Sequence, residues 1–309
     1  MPTGFGRDFH TQYQKCEWEA VDWRNREYQD ALYEKISDRI AVITFNRPEK
    51  RNAFSDRMFE DMFAALHQAN DDPDVRVVIL RGAGICFGAG HELSSPEGED
   101  SPPIHPSHNP TMVDYYGFER RRCSKWETIQ DYPKILMAQV HGHCIGASQM
   151  VASCCDFVIA ADDAQFGIRG FGNYHHGVTD WPMWPLWSNK AFAGRAISEH
   201  TGAQAAQIGF INKAVPKEQL EQDTLRWAEA LSQLPVDSIA VAKEWLNGSQ
   251  DITGFGTAQR SHFVEHLLIQ YVHFRPYEVN LYKAKREKGL KGFLKDRAAT
   301  ASAEDAKQG

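Results

Sequence analysis

Ile135-Leu136-Met137-Ala138-Gln139-Val140 runs into His141-Gly142-His143-Cys144-Ile145-Gly146-Ala147-Ser148, and this junction decides the fold. The first six residues form a nearly all-apolar run of strand length, the kind buried on both faces of a sheet. A small-residue turn follows, then an expected helix over 146–154 and a second apolar strand over 156–160. Strand, helix, strand in that order predicts a parallel α/β sheet.

Working outward, Val75 to Leu80 is another short apolar strand, and it too leads into a small-residue turn, Phe87-Gly88-Ala89-Gly90-His91-Glu92-Leu93. At both turns a ligand can approach the backbone N–H groups unhindered by large side chains. Two such donors aimed at one acyl oxygen would stabilise an enolate or a tetrahedral oxyanion. Nearer the N-terminus, residues 31–36 and 39–45 flank Ser37-Asp38, and the alternation of Ile40, Val42 and Phe45 suits a hairpin ended by Asn46-Arg47-Pro48. Ser55 is placed to cap a helix whose Met58, Phe59, Met62, Phe63 and Leu66 form one apolar face, closed by Asp71-Asp72-Pro73. A helix is also expected from about 111 to 130. After residue 180 the pattern turns helical, at about 181–197, 203–208, 217–233, 236–247 and 255–296.

With 309 residues and 42% apolar content the chain has enough material for a sizeable core. A formal charge of −7 argues against general nucleic-acid binding, although Lys283, Lys285, Arg286, Lys288, Lys291, Lys295 and Arg297 crowd the C-terminal region. The cysteines show no metal spacing and read as reduced, buried thiols. No apolar stretch is long enough to span a bilayer, so a soluble, cytoplasmic protein is expected. The sequence divides into an extension over 1–30, a core over 31–200, a helical region over 201–297 and a tail over 298–309, with the Pro- and Ser-rich stretch 94–110 as a loop or a lid over the substrate. HExxH, CxxC, GxxxxGK[ST] and GxGxxG patterns are all missing, so neither a metal nor a nucleotide cofactor is expected.

Five landmarks in order resemble the crotonase, or enoyl-CoA hydratase/isomerase, superfamily. Asn46-Arg47-Pro48-Glu49-Lys50-Arg51-Asn52-Ala53 is similar to its NRP-x-x-x-NA signature, Ala89-Gly90-His91-Glu92-Leu93 to AG-x-D-L, and Gly142 to Asp156 to NG-x-x-x-GGG…CD. Ala164-Gln165-Phe166-Gly167 and Gly209 to Val215 match two more. The resemblance covers about residues 31–297. It implies an α/β fold, a crotonase-like spiral of ββα units with a helical C-terminal trimerisation region, assembled as a homotrimer or dimer of trimers. It also implies a coenzyme A thioester substrate with no separate cofactor. Carried over by position, the oxyanion donors are the N–H groups of His91 and Ala147. Glu49, Lys50, Arg51, Ala53 and Ala89 fall on the CoA pocket, Tyr115, Tyr116 and Glu119 border the acyl pocket, and the basic run that includes Lys283 would meet CoA phosphates.

Two departures bear on the chemistry. The resemblance implies a pair of glutamates that hold the attacking water, and here those positions carry Met150 and Gly170, neither able to move a proton. Replacement acid–base groups are expected between Arg169 and Trp187, where Tyr174, His175, His176 and Asp180 stand. A histidine near its ordinary pKa exchanges protons at neutral pH, and an aspartate beside it fixes the tautomer. The family's β-diketone hydrolases use a His and an Asp from this region, with Asp180 near that aspartate. Ala147 and Ser148 replace glycines, which the second donor tolerates if φ at 147 is negative. Three readings stand open: a hydratase or lyase working through a thioester enolate with His175, His176 and Asp180 as the catalytic candidates, a retro-Claisen C–C hydrolase of a β-dicarbonyl compound, and an acyl-CoA-binding protein without chemistry. His141 and His143, flanking a tight turn, are weaker candidates, and Trp181, Trp184 and Trp187 are expected in the core, at an interface or along a wide acyl pocket.

Overall fold

The computed structural model describes residues 23–92, 111–167 and 200–252 with residues 287–289, 292 and 295; of residues 115 and 118–124 it describes the backbone alone. The expected hairpin is present: strand β1 (Ala31–Ser37) pairs antiparallel with β2 (Ile40–Phe45). Ser55 caps helix α1 (Asp56–Asp71), its hydroxyl accepting the Met58 N–H at 3.0 Å, a contact of about 1 kcal/mol. Next come β3 (Val77–Gly82) and α2 (Met112–Gln130), the helix opened by a capping box between Thr111 and Asp114. Then follow β4 (Ile135–Val140), β5 (His143–Ile145), α3 (Ala147–Ser153), β6 (Phe157–Ala161), β7 (Gln165–Gly167), β8 (His200–Thr201), α4 (Gly202–Gln207), β9 (Lys213–Val215), α5 (Leu220–Leu231) and α6 (Val236–Ile252).

Among the described residues the strands build two sheets. The larger is six-stranded in the order β1-β2-β3-β4-β6-β9, parallel from β2 onward, and the smaller is β5-β7-β8. In the units β4-β5-α3 and β6-β7 the first strand joins the large sheet and the second joins the small one. Single bridges extend the small layer, Gly88 pairing with Cys144 and His91 with Phe54, so the turn after β3 takes the place of a second strand. Helix α1 covers one face of the sheet with Met58, Phe59, Met62, Phe63 and Leu66, each worth about 1.5–3 kcal/mol when fully buried. The central strands are apolar except at Thr44, Arg81 and Gln139, which stand in register across β2, β3 and β4 with Arg81 Nε donating to Thr44 Oγ1 at 3.1 Å.

Several boundaries differ from expectation. Strand β3 begins at Val77, α6 runs on to Ile252, and the helix expected from 217 opens as a 3₁₀ turn at Lys217–Gln219 before α5. Strands β5, β7, β8 and β9 were not anticipated, because three residues or fewer carry no measurable periodicity. The helix expected at 181–197, most of that at 255–296, the loop 94–110 and the three tryptophans lie outside the described residues. Among the described residues no helix is long and apolar enough to cross a membrane.

Asp61 sits fully buried on α1 with all its partners in place. Arg26 Nε donates to it at 2.6 Å, and the N–H groups of Gln29 and Asp30 at 3.0 and 2.8 Å, tying the chain before β1 onto the helix. Asp61→Ala strands these donors and is expected to cost about 3–5 kcal/mol, read as a lower urea midpoint at unchanged slope. An unchanged midpoint would contradict that role.

Two surface carboxyls carry a pH signature. Lys35 Nζ lies 2.7 Å from Asp72, Lys213 pairs with Asp223, and these hydrogen bonds hold both carboxyls below the usual aspartate range. A depressed folded pKa adds stability above the unfolded value, and that stability is lost as pH falls through the folded one. Asp72→Asn/Asp223→Asn is therefore expected to melt below the parent near neutral pH, with the gap closing as pH falls below the ordinary aspartate range and through the lowered folded pKa values. A gap that persists unchanged in acid would rule out the ion pairs as its source.

Candidate active site

Both small-residue turns meet at the junction of the two sheets. Gly88 N–H donates to His143 O at 2.9 Å and Ile145 N–H to Gly88 O at 3.1 Å, so residues 88–91 run beside β5 and the start of α3. Gly90 has φ +92°, and a Cβ there would lie 2.9 Å from Ile145 O and 3.7 Å from Ala147 N. Gly146, with φ +57°, would place a Cβ 3.7 Å from Gly90 Cα. A side chain at Gly90 would thus collide with the chain just before Ala147, and one at Gly146 would lie against Gly90 and be strained by its positive φ, so the residue before His91 stands near the residue before Ala147. Ala147 is the first residue of α3, where a helical N–H has no intrahelical acceptor. Among described non-glycine residues only Arg51 and Asn52 have positive φ, so Ala147 meets the condition set for keeping its amide in place.

The NRP-x-x-x-NA stretch packs along the same edge. Asn52 is fully buried in a left-handed conformation; its Nδ2 donates to Ala83 O and Cys86 O at 2.8 Å each, and its Oδ1 accepts from Arg47 N–H at 2.9 Å. Ala89 N–H donates to Arg51 O at 3.0 Å. Glu49, Lys50, Arg51 and Ala89 are exposed and Ala53 is half-buried. Arg47 lies 2.7 Å from Glu92 and 3.4 Å from Asp30, which gives Glu92 a bracing role.

Aromatic rings pack together beside these segments. Phe45, Phe54 and Phe87 meet edge to face at 4.8 and 5.2 Å, and Phe59 continues the cluster to Trp126 at 5.8 Å. The exposed His91 ring stands 5.9 Å from Phe59, whose face also receives the Lys125 ammonium at 4.8 Å. His141 Nε2 lies 3.0 Å from Gly84 O. Gly146 N–H donates to Gly167 O at 3.0 Å, which places the end of β7 at the head of α3. His175, His176, Asp180 and Lys283 lie outside the described residues, as does the Tyr115 side chain. Among the described residues no group of three His, Cys, Asp or Glu side chains is placed to hold a metal ion.

A sequence model of the enoyl-CoA hydratase/isomerase family matches residues 35–294. The chain belongs to this family. It is 33% identical over 266 residues to a Mycobacterium tuberculosis H37Rv protein named "Putative enoyl-CoA hydratase EchA13", covering 79% of this chain and 82% of the relative. The crystal structure of an enoyl-CoA hydratase from Mycobacterium smegmatis is similar with a TM-score of 0.69 at 28% identity, covering 90% of this chain and 95% of that one. An enoyl-CoA hydratase/isomerase from Xanthobacter autotrophicus Py2 gives a TM-score of 0.73 at 25% identity, over 89% and 99%.

Met150 lies on α3 with its side chain against the hydrophobic core. Sequence reasoning missed two contributors. Arg47 is part of a recognised motif, but its ion pair with Glu92 reaches 45 residues along the chain, beyond any local pattern. Ser148 is expected only as a tolerated replacement of a glycine, yet its buried hydroxyl contacts both turns. A serine in place of a glycine at a buried helix start was the one available signal.

Proposed function

We propose that the chain binds a coenzyme A thioester, polarises its carbonyl between the N–H groups of His91 and Ala147, and adds or eliminates across the α,β bond as a hydratase or lyase. The close approach of the 88–91 turn to the start of α3 supports this reading: a Cβ at Gly90 would lie 3.7 Å from Ala147 N, which sets the two amide-bearing segments near one another. As a proton leaves or joins the α-carbon, negative charge gathers on the thioester oxygen, and fixed donors aimed at that oxygen stabilise the enolate without reorganisation. Met150 offers no proton, so His175, His176 or Asp180 serves as acid and base. Glu49, Lys50, Arg51, Ala53, Ala89, Tyr115 and Lys283 line the path of the CoA moiety. The reduced thiols of Cys86, Cys144, Cys154 and Cys155 accord with a cytoplasmic enzyme. Val241, Trp245 and Ile252, exposed along one stripe of α6, accord with assembly as a trimer or dimer of trimers.

Incubation with crotonyl-CoA, a cinnamoyl-type CoA ester and a cyclic β-diketone, with product masses recorded, tests the reaction class. Gain of one water on a thioester is the expected result. Cleavage of the diketone to a keto acid would instead establish retro-Claisen hydrolysis, for which the methionine at 150 and the sequence position of Asp180, counted from Phe166, also speak. Binding of the thioesters with no turnover would leave an acyl-CoA-binding protein.

A further inference from the structure

The side chain of Ser148 joins the two segments that bear the proposed donors. Its Oγ accepts the Ile145 N–H at 2.8 Å and lies 2.7 Å from Gly88 O and 2.8 Å from Ile145 O, all within the buried interior. The hydroxyl has one proton, and the shorter of the two carbonyl contacts crosses from α3 to the turn after β3. Ser148 follows Ala147 directly, and Gly88 precedes Gly90 by two residues, so this bond fixes the spacing of the two amides from one end. Space at the contact is shared: a Cβ at Gly88 would stand 2.6 Å from Ser148 Cβ and 3.1 Å from its Oγ. A serine at 148 thus requires glycine at 88.

We propose that Ser148 is a positioning residue whose hydroxyl sets the gap between the His91 and Ala147 amides and so tunes how strongly they polarise the bound carbonyl. This rests on the thioester reading above. A neutral hydrogen bond of this kind contributes about 1 kcal/mol, which corresponds to a change of roughly fivefold to tenfold in rate when it acts on the transition state.

The test uses the full chain with butyryl-CoA carrying carbon-13 at its thioester carbonyl, a saturated probe that cannot be hydrated, together with steady-state kinetics on whichever thioester the parent turns over. In Ser148→Ala the bound carbonyl band is expected to move back toward that of free thioester and kcat to fall about fivefold to tenfold, with KM nearly unchanged. Gly88→Ala, which forces a clash with Ser148, is expected to fall further, and Gly88→Ala/Ser148→Gly to recover part of that loss. The double variant also lacks the hydroxyl, so it carries the carbonyl measurement should Ser148→Ala not fold. A parental carbonyl band in both hydroxyl-free variants would overturn the proposal, whatever their melting temperatures. A parent whose own bound carbonyl band is undisplaced would instead overturn the two-amide reading on which the proposal rests.

Discussion

Gly90→Ala is expected to lower kcat by about 10²–10³-fold, the range seen when one oxyanion donor is lost. Gly90 has φ +92°, a conformation that an alanine adopts only with strain, and its new Cβ would stand 2.9 Å from Ile145 O. Relief requires the 88–91 segment to move away from α3, which separates the His91 amide from that of Ala147. The strain is local, on the order of 1–3 kcal/mol, so the variant remains folded while turnover collapses. Parental kcat in a folded Gly90→Ala protein would show that the two amides do not share the developing charge. Equal loss of kcat and of melting cooperativity would assign the glycine to folding alone.

The second large effect concerns the proton carrier. Since neither Met150 nor Gly170 can move a proton, at least one of His175→Ala, His176→Ala and Asp180→Asn is expected to reduce turnover by on the order of 10²-fold or more, with substrate binding retained. A histidine in this role also gives kcat/KM a pH limb near the ordinary imidazole pKa of about 6.5, and that limb disappears in the inactive variant. Parental rates in all three variants would move the acid–base chemistry to another group, with His91 and Glu119 next in order.

The elements with a long apolar signal were legible from sequence. Strands β2, β3 and β4 are continuous apolar runs, and α1 repeats Met58, Met62 and Leu66 at helical spacing behind a serine cap. What escaped was short or distant. Strand β9 has three residues and gains its place by pairing with β6, a contact no local pattern records. At the site, the two glycine turns are recognisable in the sequence through residue size, and the structure sets them at the junction of the two sheets. The bracing contacts did not, since Ser148 to Gly88 spans 60 residues and Asn52 to Cys86 spans 34. Such hydrogen bonds depend on the finished packing of two sheets, whereas the need for a bare backbone is written in the glycines themselves. His175, His176 and Asp180 rest on sequence alone.

The infrared spectrum of butyryl-CoA labelled with carbon-13 at its thioester carbonyl, bound to the parent protein, tests the central claim most directly. Two convergent N–H donors draw electron density toward oxygen and weaken the C=O bond, so the expected result is a bound band clearly below that of the free thioester. A bound thioester absorbing at its free frequency, or no binding at millimolar probe, would contradict the claim that residues 91 and 147 together receive an acyl oxygen.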